Sequence, residues 1–210
     1  MLPMMNERTA RDRRAEILDI AGPLFLEYGY QGTSMSQIAA AVGGSKGTLY
    51  AYFDNKESLF EAYMQMSVRQ KSADVFEFPA NLDDIPGALT RLGHKFLELV
   101  TEESSREMLR LLYHEAPRFP EIGRIFYETC LLRGRSQLTA FLIRANDAGA
   151  LHAPDPELAA EQFLTLCQAK LVMPVMLCVT PNIGPDEAEA VIKAAVTMFL
   201  AAYGAPQSKA

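Results

Sequence analysis

Two adjacent glycines, Gly43 and Gly44, divide two stretches that each read as a short helix, and no other feature constrains the local fold as tightly. Ahead of them, Ser34 and Gln37 stand at capping-box spacing, and Met35, Ile38, Ala39 and Val42 supply one apolar face. Behind them, Ser45 can cap a second helix running through Tyr52 or Phe53. Glycine enters left-handed conformations without a Cβ clash, so the pair makes a tight turn between the two helices. Asp54-Asn55 stops the second, and Asn55 can cap a third whose Leu59, Phe60, Tyr63, Met64 and Val68 keep the helical period.

The rest of the chain extends this helical pattern. Thr9 and Asp12 resemble a helix start, and Ile17, Leu18, Ala21, Leu24, Phe25 and Tyr28 carry a first helix to Gly29, with a kink expected at Pro23. The run Phe78 to Asp84 reads as a boundary, because Pro79 interrupts it and the Asp83-Asp84 pair can cap a helix from about Ile85 to Val100. Further helices are expected at about 104–116, 120–147, 155–179 and 185–203. No segment alternates polar and apolar residues between hairpin turns, so the expected fold is all-α with about nine helices. Residues 1–73 form the expected helix-turn-helix head with the start of a linking helix, and residues 74–210 the second domain.

Composition narrows the function classes. At 49% hydrophobic and 22% charged, the chain has ample material for a core. Cys130, Cys167 and Cys178 share no CxxC spacing, which favours reduced thiols over a disulfide framework. No leader-like apolar region follows the charged start, and Leu171 to Val179 is too short to span a membrane, so a cytoplasmic protein is expected. The net charge of -6 lies wholly beyond residue 71, since residues 1–71 hold 8 basic and 8 acidic side chains, with Arg8, Arg11, Arg13 and Arg14 clustered at the start. No nucleotide loop, nucleophile elbow, cofactor motif or metal-ligand spacing is present, so neither an enzyme nor a cofactor is expected. His94, His114 and His152 are isolated from one another.

The segment Thr33 to Lys56 carries the functional chemistry. Ser45, Lys46, Gly47 and Thr48 make a slim, donor-rich helix start that can approach DNA closely, followed by Leu49 as a core residue and by tyrosine hydroxyls. Gly47 costs ~1 kcal/mol relative to alanine in a helix, which makes sense if the backbone must come near something. The free N–H groups at a helix start also suit a phosphate.

In one unbroken register, Gly29-Tyr30, Thr33-Ser34-Met35, Ile38-Ala39, Ser45 to Tyr50, Tyr52-Phe53 and Lys56 to Leu59 resemble the tetracycline-repressor (TetR/AcrR) family of bacterial regulators. The resemblance covers about residues 9–65. It implies that Ser45 to Phe53 is the recognition helix and that Thr33 and Ser34 meet phosphate. It also implies that Lys46, Gly47 and Thr48 lie at base edges or backbone, Tyr50 and Tyr52 pack on phosphates, and Lys56 anchors another phosphate. Gly44 and Tyr52 depart from the family pattern, as does Pro23.

Against these assignments, Lys46 and Lys56 also read as solvated charges, Tyr50 and Tyr52 as packing residues, and the Arg8 to Arg14 cluster as a frayed end or as an arm for the minor groove. The near-neutral head also fits a helical ligand-binding or adaptor protein that does not use it on DNA. The resemblance assigns effector sensing and homodimer formation to the second domain. Small residues of the 185–203 helix (Ala188, Ala190, Ala194, Ala195, Ala201, Ala202) and the apolar run Leu171 to Val179 are candidates for a four-helix dimer interface. Tyr113, His114, Tyr127, Leu131, Phe163, Cys167, Met173 and Met176 are candidates for an apolar effector pocket. The resemblance therefore implies double-stranded operator DNA, a small-molecule effector and a second copy of the chain as partners, and repression as the outcome.

Overall fold

The computed structural model describes residues 3–71 and 74–205, with side chains from residue 11. In chain order the helices are α1 (Pro3–Gly32), α2 (Met35–Ala41), α3 (Lys46–Tyr50), α4 (Lys56–Lys71), α5 (Ile85–Thr101), α6 (Glu103–Glu115), α7 (Pro120–Phe126), α8 (Leu132–Asp147), α9 (Pro156–Gln168), α10 (Val172–Met176) and α11 (Pro185–Tyr203). A π-helical turn, Tyr127–Leu131, joins α7 to α8. The described residues hold no strand, only an isolated antiparallel bridge between Leu151 and Gly204. The described residues form eleven α-helices rather than about nine, because the spans expected at 120–147 and 155–179 are each divided in two.

The chain packs as two compact units. The first comprises residues 1–70 with 107–130. Its mainly aliphatic core holds an aromatic cluster: the Phe25 ring meets Phe60 edge-on at 5.2 Å, and Tyr30 meets Phe60 and Phe119 at 5.3 Å each. Burial of each such ring is worth ~1.5–3 kcal/mol. A Cβ on Gly22 would overlap the Tyr63 ring, so the glycine is what lets α1 and α4 close together. Expected features of α1 move. Helical dihedrals continue through Pro23 and break at Gly29, at φ 76° and ψ 169°. The helix also starts earlier than Thr9, at Pro3, while the side chains of Thr9 and Arg8 lie outside those described.

The second unit comprises residues 71–106 with 131–210, and α5, α8, α9 and α11 enclose its core. Leu89, Leu138, Leu142, Phe163 and Ile192 there have no exposed surface. Asp84 caps α5 through the Gly87 N–H at 2.8 Å, and Asp155 caps α9 through the Leu158 N–H at 3.0 Å. Arg135 of α8 ties itself to Glu157 and Glu161 of α9 at 3.1 and 2.5 Å. The helix expected over 155–179 is broken. Pro174 has no N–H for the carbonyl of residue 170 and its ring crowds that position. The backbone leaves the helix at Ala169, Lys170 turns left-handed at φ 55°, and only the short α10 follows.

Candidate nucleic-acid interface

The helix-turn-helix is assembled by caps that act within three residues. The Ser34 hydroxyl accepts the Gln37 N–H at 3.2 Å, and the Gln37 side chain accepts the Ser34 N–H at 2.9 Å, closing both halves of the capping box. Such a cap is worth ~1 kcal/mol. The α2 chain ends in a turn where Gly43 takes φ 71° and the Gly44 N–H reaches back to the Ala39 carbonyl at 3.0 Å. Gly44 itself needs no left-handed angle, and a Cβ there would make ordinary contacts with Arg13 and Thr48 at 3.6 to 3.8 Å.

Next, Ser45 caps α3 by accepting the Thr48 N–H at 3.1 Å, and its hydroxyl meets the Thr48 hydroxyl at 3.0 Å. Leu49 anchors the helix in the core of the unit. Ser45, Lys46, Gly47, Thr48 and Tyr50 all face outward. A Cβ on Gly47 would meet nothing nearer than the Ser45 hydroxyl at 3.6 Å, so internal packing does not call for a glycine here. The helix is shorter than the expected Ser45 to Phe53. After Tyr50 the chain tightens, with the Tyr52 and Phe53 N–H groups both reaching the Leu49 carbonyl, and this turn delivers Phe53 into the core. Tyr52 is half-buried against that core, whereas Tyr50 stays open.

Two residues expected to meet phosphate turn inward. Thr33 is 1% exposed, and its hydroxyl donates inward, to the Gly29 carbonyl at 2.8 Å or that of Leu24 at 3.0 Å. Its N–H is also taken by Gly29. It braces the entry to α2 instead of offering a donor. Lys56 folds back too: its Nζ donates to the carbonyls of Tyr30 at 2.6 Å and Thr33 at 3.0 Å and sits 4.3 Å from the centre of the Tyr30 ring. Burial pulls its pKa down from the usual lysine value, while the carboxylates of Glu115 and Glu121 push the other way. Two of its three protons are thereby committed within the chain.

The basic start of the chain is also structural in part. Arg13 pairs with Glu16 at 2.6 Å and donates to the Val42 carbonyl at 3.2 Å, clamping the end of α2. The Arg14 guanidinium lies 4.8 Å from the centre of the Phe53 ring. Sequence reasoning missed this clamp and also Glu115. That carboxylate is 6% exposed and accepts the Gln31 N–H at 3.4 Å, beside the left-handed Gly29.

The eight effector-pocket candidates fall in both units and differ widely in exposure. Phe163 and Cys167 are sealed in the core of the second unit, and burial pushes the Cys167 thiol up to about 12. Tyr113, Tyr127, Leu131 and Met173 lie on the surface, 47 to 77% exposed. Met176 is half-buried. His114 is exposed and lines a cleft of about 690 Å³ between Pro23, Leu26 and Gly29 of α1 and Arg110 and Leu111 of α6. Cys178 is exposed in a left-handed turn at φ 58°. Among the described residues, no helix is long and apolar enough to cross a membrane.

Comparison with known proteins places this architecture. Residues 17–63 match the family model described as bacterial regulatory proteins, tetR family, and residues 87–205 match that of the AefR-like transcriptional repressor C-terminal domain. The HTH-type transcriptional regulator AcrR of Shigella flexneri is 31% identical over 111 residues, which span 52% of this chain and 52% of that protein, about half of each. Among solved structures, the flavonoid-responsive regulator FrrA is 31% identical with a TM-score of 0.83, covering 94% of this chain and 99% of its own. A TetR family transcriptional regulator from Pseudomonas syringae pv. tomato DC3000 follows at 27% identity and TM-score 0.71, covering 92% and 97%. With a family model over more than half its length and both ends of the architecture accounted for, the chain belongs to the TetR family of DNA-binding transcriptional repressors.

Proposed function

We propose that two copies of this chain bind a pseudo-palindromic operator through the start of α3 and leave it when a small apolar or amphipathic molecule binds. Residues 1–73 serve DNA and residues 74–210 serve the effector and the dimer. The observation that carries the DNA reading is the outward edge Ser45-Lys46-Gly47-Thr48, where a helix-weakening glycine has open space in front of it. Ser34, Tyr50 and Tyr52 flank it as backbone contacts, and the half-sites lie about one helical turn, roughly 34–36 Å, or a multiple of it apart. Thr33 and Lys56 support the head from within.

For the dimer, α11 turns Ala190, Ala194, Ala201, Ala202 and a 59% exposed Met198 outward, and Met173, Leu177 and Val179 around α10 are 65 to 74% exposed. Apolar surface of this kind marks an interaction site. The effector class is supported by FrrA, which its name describes as flavonoid-responsive. Release requires only that the effector favour a conformation with misplaced reading heads, with a coupling of ~1–3 kcal/mol. The protein acts in the cytoplasm, where operator and effector meet.

A mobility-shift titration against the DNA upstream of the protein's own coding sequence tests this reading, with a shift expected at nanomolar protein and reversed by flavonoids. A second reading, a helical adaptor that leaves its head unused, draws on the balance of 8 basic and 8 acidic side chains over residues 1–71. Absence of any shift with folded dimer would decide for it.

A further inference from the structure

We propose that Glu115 is a positioning residue for operator binding: reaching from the end of α6, its carboxylate holds the left-handed turn at Gly29 from which α2 and α3 are hung. The proposal rests on the DNA-binding reading above and adds the part that sets the angle of the reading helix.

Four observations converge on residues 29–33. Glu115 is 6% exposed and its Oε1 accepts the Gln31 N–H at 3.4 Å. A Cβ on Gly29 would lie 2.7 Å from the same oxygen, so the carboxylate packs directly on the glycine backbone, at a φ of 76° that disfavours any other residue. The Gly29 carbonyl receives the N–H and the hydroxyl of Thr33. The carbonyls of Tyr30 and Thr33 receive the Lys56 ammonium. Ser34 follows at once as the cap of α2, so this turn decides where α2 begins.

Packing alone does not account for a carboxylate here. Burying an ionised group costs several kcal/mol unless charge or hydrogen bonds compensate, and a neutral glutamine would serve the Gln31 N–H with less penalty. Lys56 holds the same turn, and the Glu115 carboxylate favours the ionised form of that lysine against the effect of burial. Glu115 takes an N–H of the turn and Lys56 takes two of its carbonyls.

The binding arms use the full-length dimer at a temperature where wild type, Glu115→Gln and the Lys56→Met variants are fully folded, so that loss of stability alone leaves affinity unmoved. Glu115→Gln, which keeps shape and acceptor but not charge, is expected to weaken operator binding about fivefold or more. The log-log salt slope should stay unchanged, because no phosphate contact is lost. Combined with Lys56→Met, Glu115→Gln should cost nothing further. Hydrogen exchange read without DNA supplies an independent arm, in which the Gln31 amide of Glu115→Ala should exchange about tenfold faster than wild type. Should Glu115→Ala not fold, the Gln31 amide of Glu115→Gln is read instead, with a change of chemical shift expected. If wild type binds operator and Glu115→Gln binds it equally well, or with an altered slope, the proposal is overturned. Additivity with Lys56→Met, or an undisturbed Gln31 amide, overturns it too. If wild type binds no upstream DNA, the operator reading fails by itself, and a positioning role in DNA binding falls with it whatever the Gln31 amide reports.

Discussion

α3 and α4 begin alike, each with a capping side chain followed by a lysine: Ser45-Lys46 in the first and Asn55-Lys56 in the second. At α3 the lysine points to solvent beside a bare glycine. At α4 it turns back over the Tyr30 ring and closes on two carbonyls of the preceding turn. The difference arises from what lies behind each cap. Behind Lys56 stand a buried aromatic cluster and two carboxylates, whereas α3 buries Leu49 and leaves Lys46 on its exposed side. One cation is free to meet another molecule, and the other is part of the scaffold that presents it.

The largest expected effect separates the two lysines by stability. Lys56→Met leaves two carbonyls without their donor, at ~1–3 kcal/mol each if they stay buried. Chemical denaturation should therefore show the first unit weakened by about 2 kcal/mol or more, with the DNA salt slope unchanged. A slope smaller by about 1 would instead restore Lys56 as a phosphate contact.

Next in size is the turn between the helices. Gly43→Ala places a side chain at φ 71° and should cost ~1–2 kcal/mol. Gly44→Ala, with only ordinary contacts near its Cβ, should change thermal stability little or raise it by ~0.4–1 kcal/mol through the unfolded chain. Equal losses at the two sites would contradict the assignment of the left-handed angle to Gly43.

Alkaline titration probes the scaffold under Lys56. Burial first, then the charges of Glu121 and Glu57, raise the Tyr30 hydroxyl from 10.0 to about 12. The folded state thus keeps a proton that the unfolded chain loses. That contribution is complete below pH 10 and is lost as pH rises toward 12. Unfolding midpoints measured between these limits should fall less steeply in Tyr30→Phe than in wild type.

Smallest in stability, though not in function, is Lys46→Ala, expected within ~0.5 kcal/mol of wild type because the side chain is exposed. Its signature should be weaker operator binding with a salt slope reduced by about 1. A pair of lysines that both altered the slope would erase the distinction between them.

The head was legible where its determinants are local. Ser34 with Gln37, Ser45 with Thr48, and Asn55 with Ser58 all act across three residues, and each stands where the spacing placed it. What the sequence left open was the destination of side chains that turn inward. Thr33 and Lys56 match the family register, yet their partners are backbone carbonyls of residues 24 to 33, set by the kink at Gly29. Glu115 gave no sign at all, because its contact spans 84 residues.

The second unit repeats the lesson. Helical spacing marked Phe163 and Cys167 as inward-facing but could not distinguish a packed core from a cavity wall. Pro174 was visible throughout, and its effect appears four residues earlier, at Lys170, where the missing hydrogen bond falls. The expected rod became two pieces for that reason.

At Gly22 the backbone of α1 lies so close to the Tyr63 ring that an added methyl group would overlap it. Two long rods that touch with no clearance cannot slide past one another without first separating, so a push on either one is felt by both. Evolution of this protein toward a different signal is thus free to rework the far ends of α1 and α4, while the crossing point tolerates no bulk and keeps the pair moving as one.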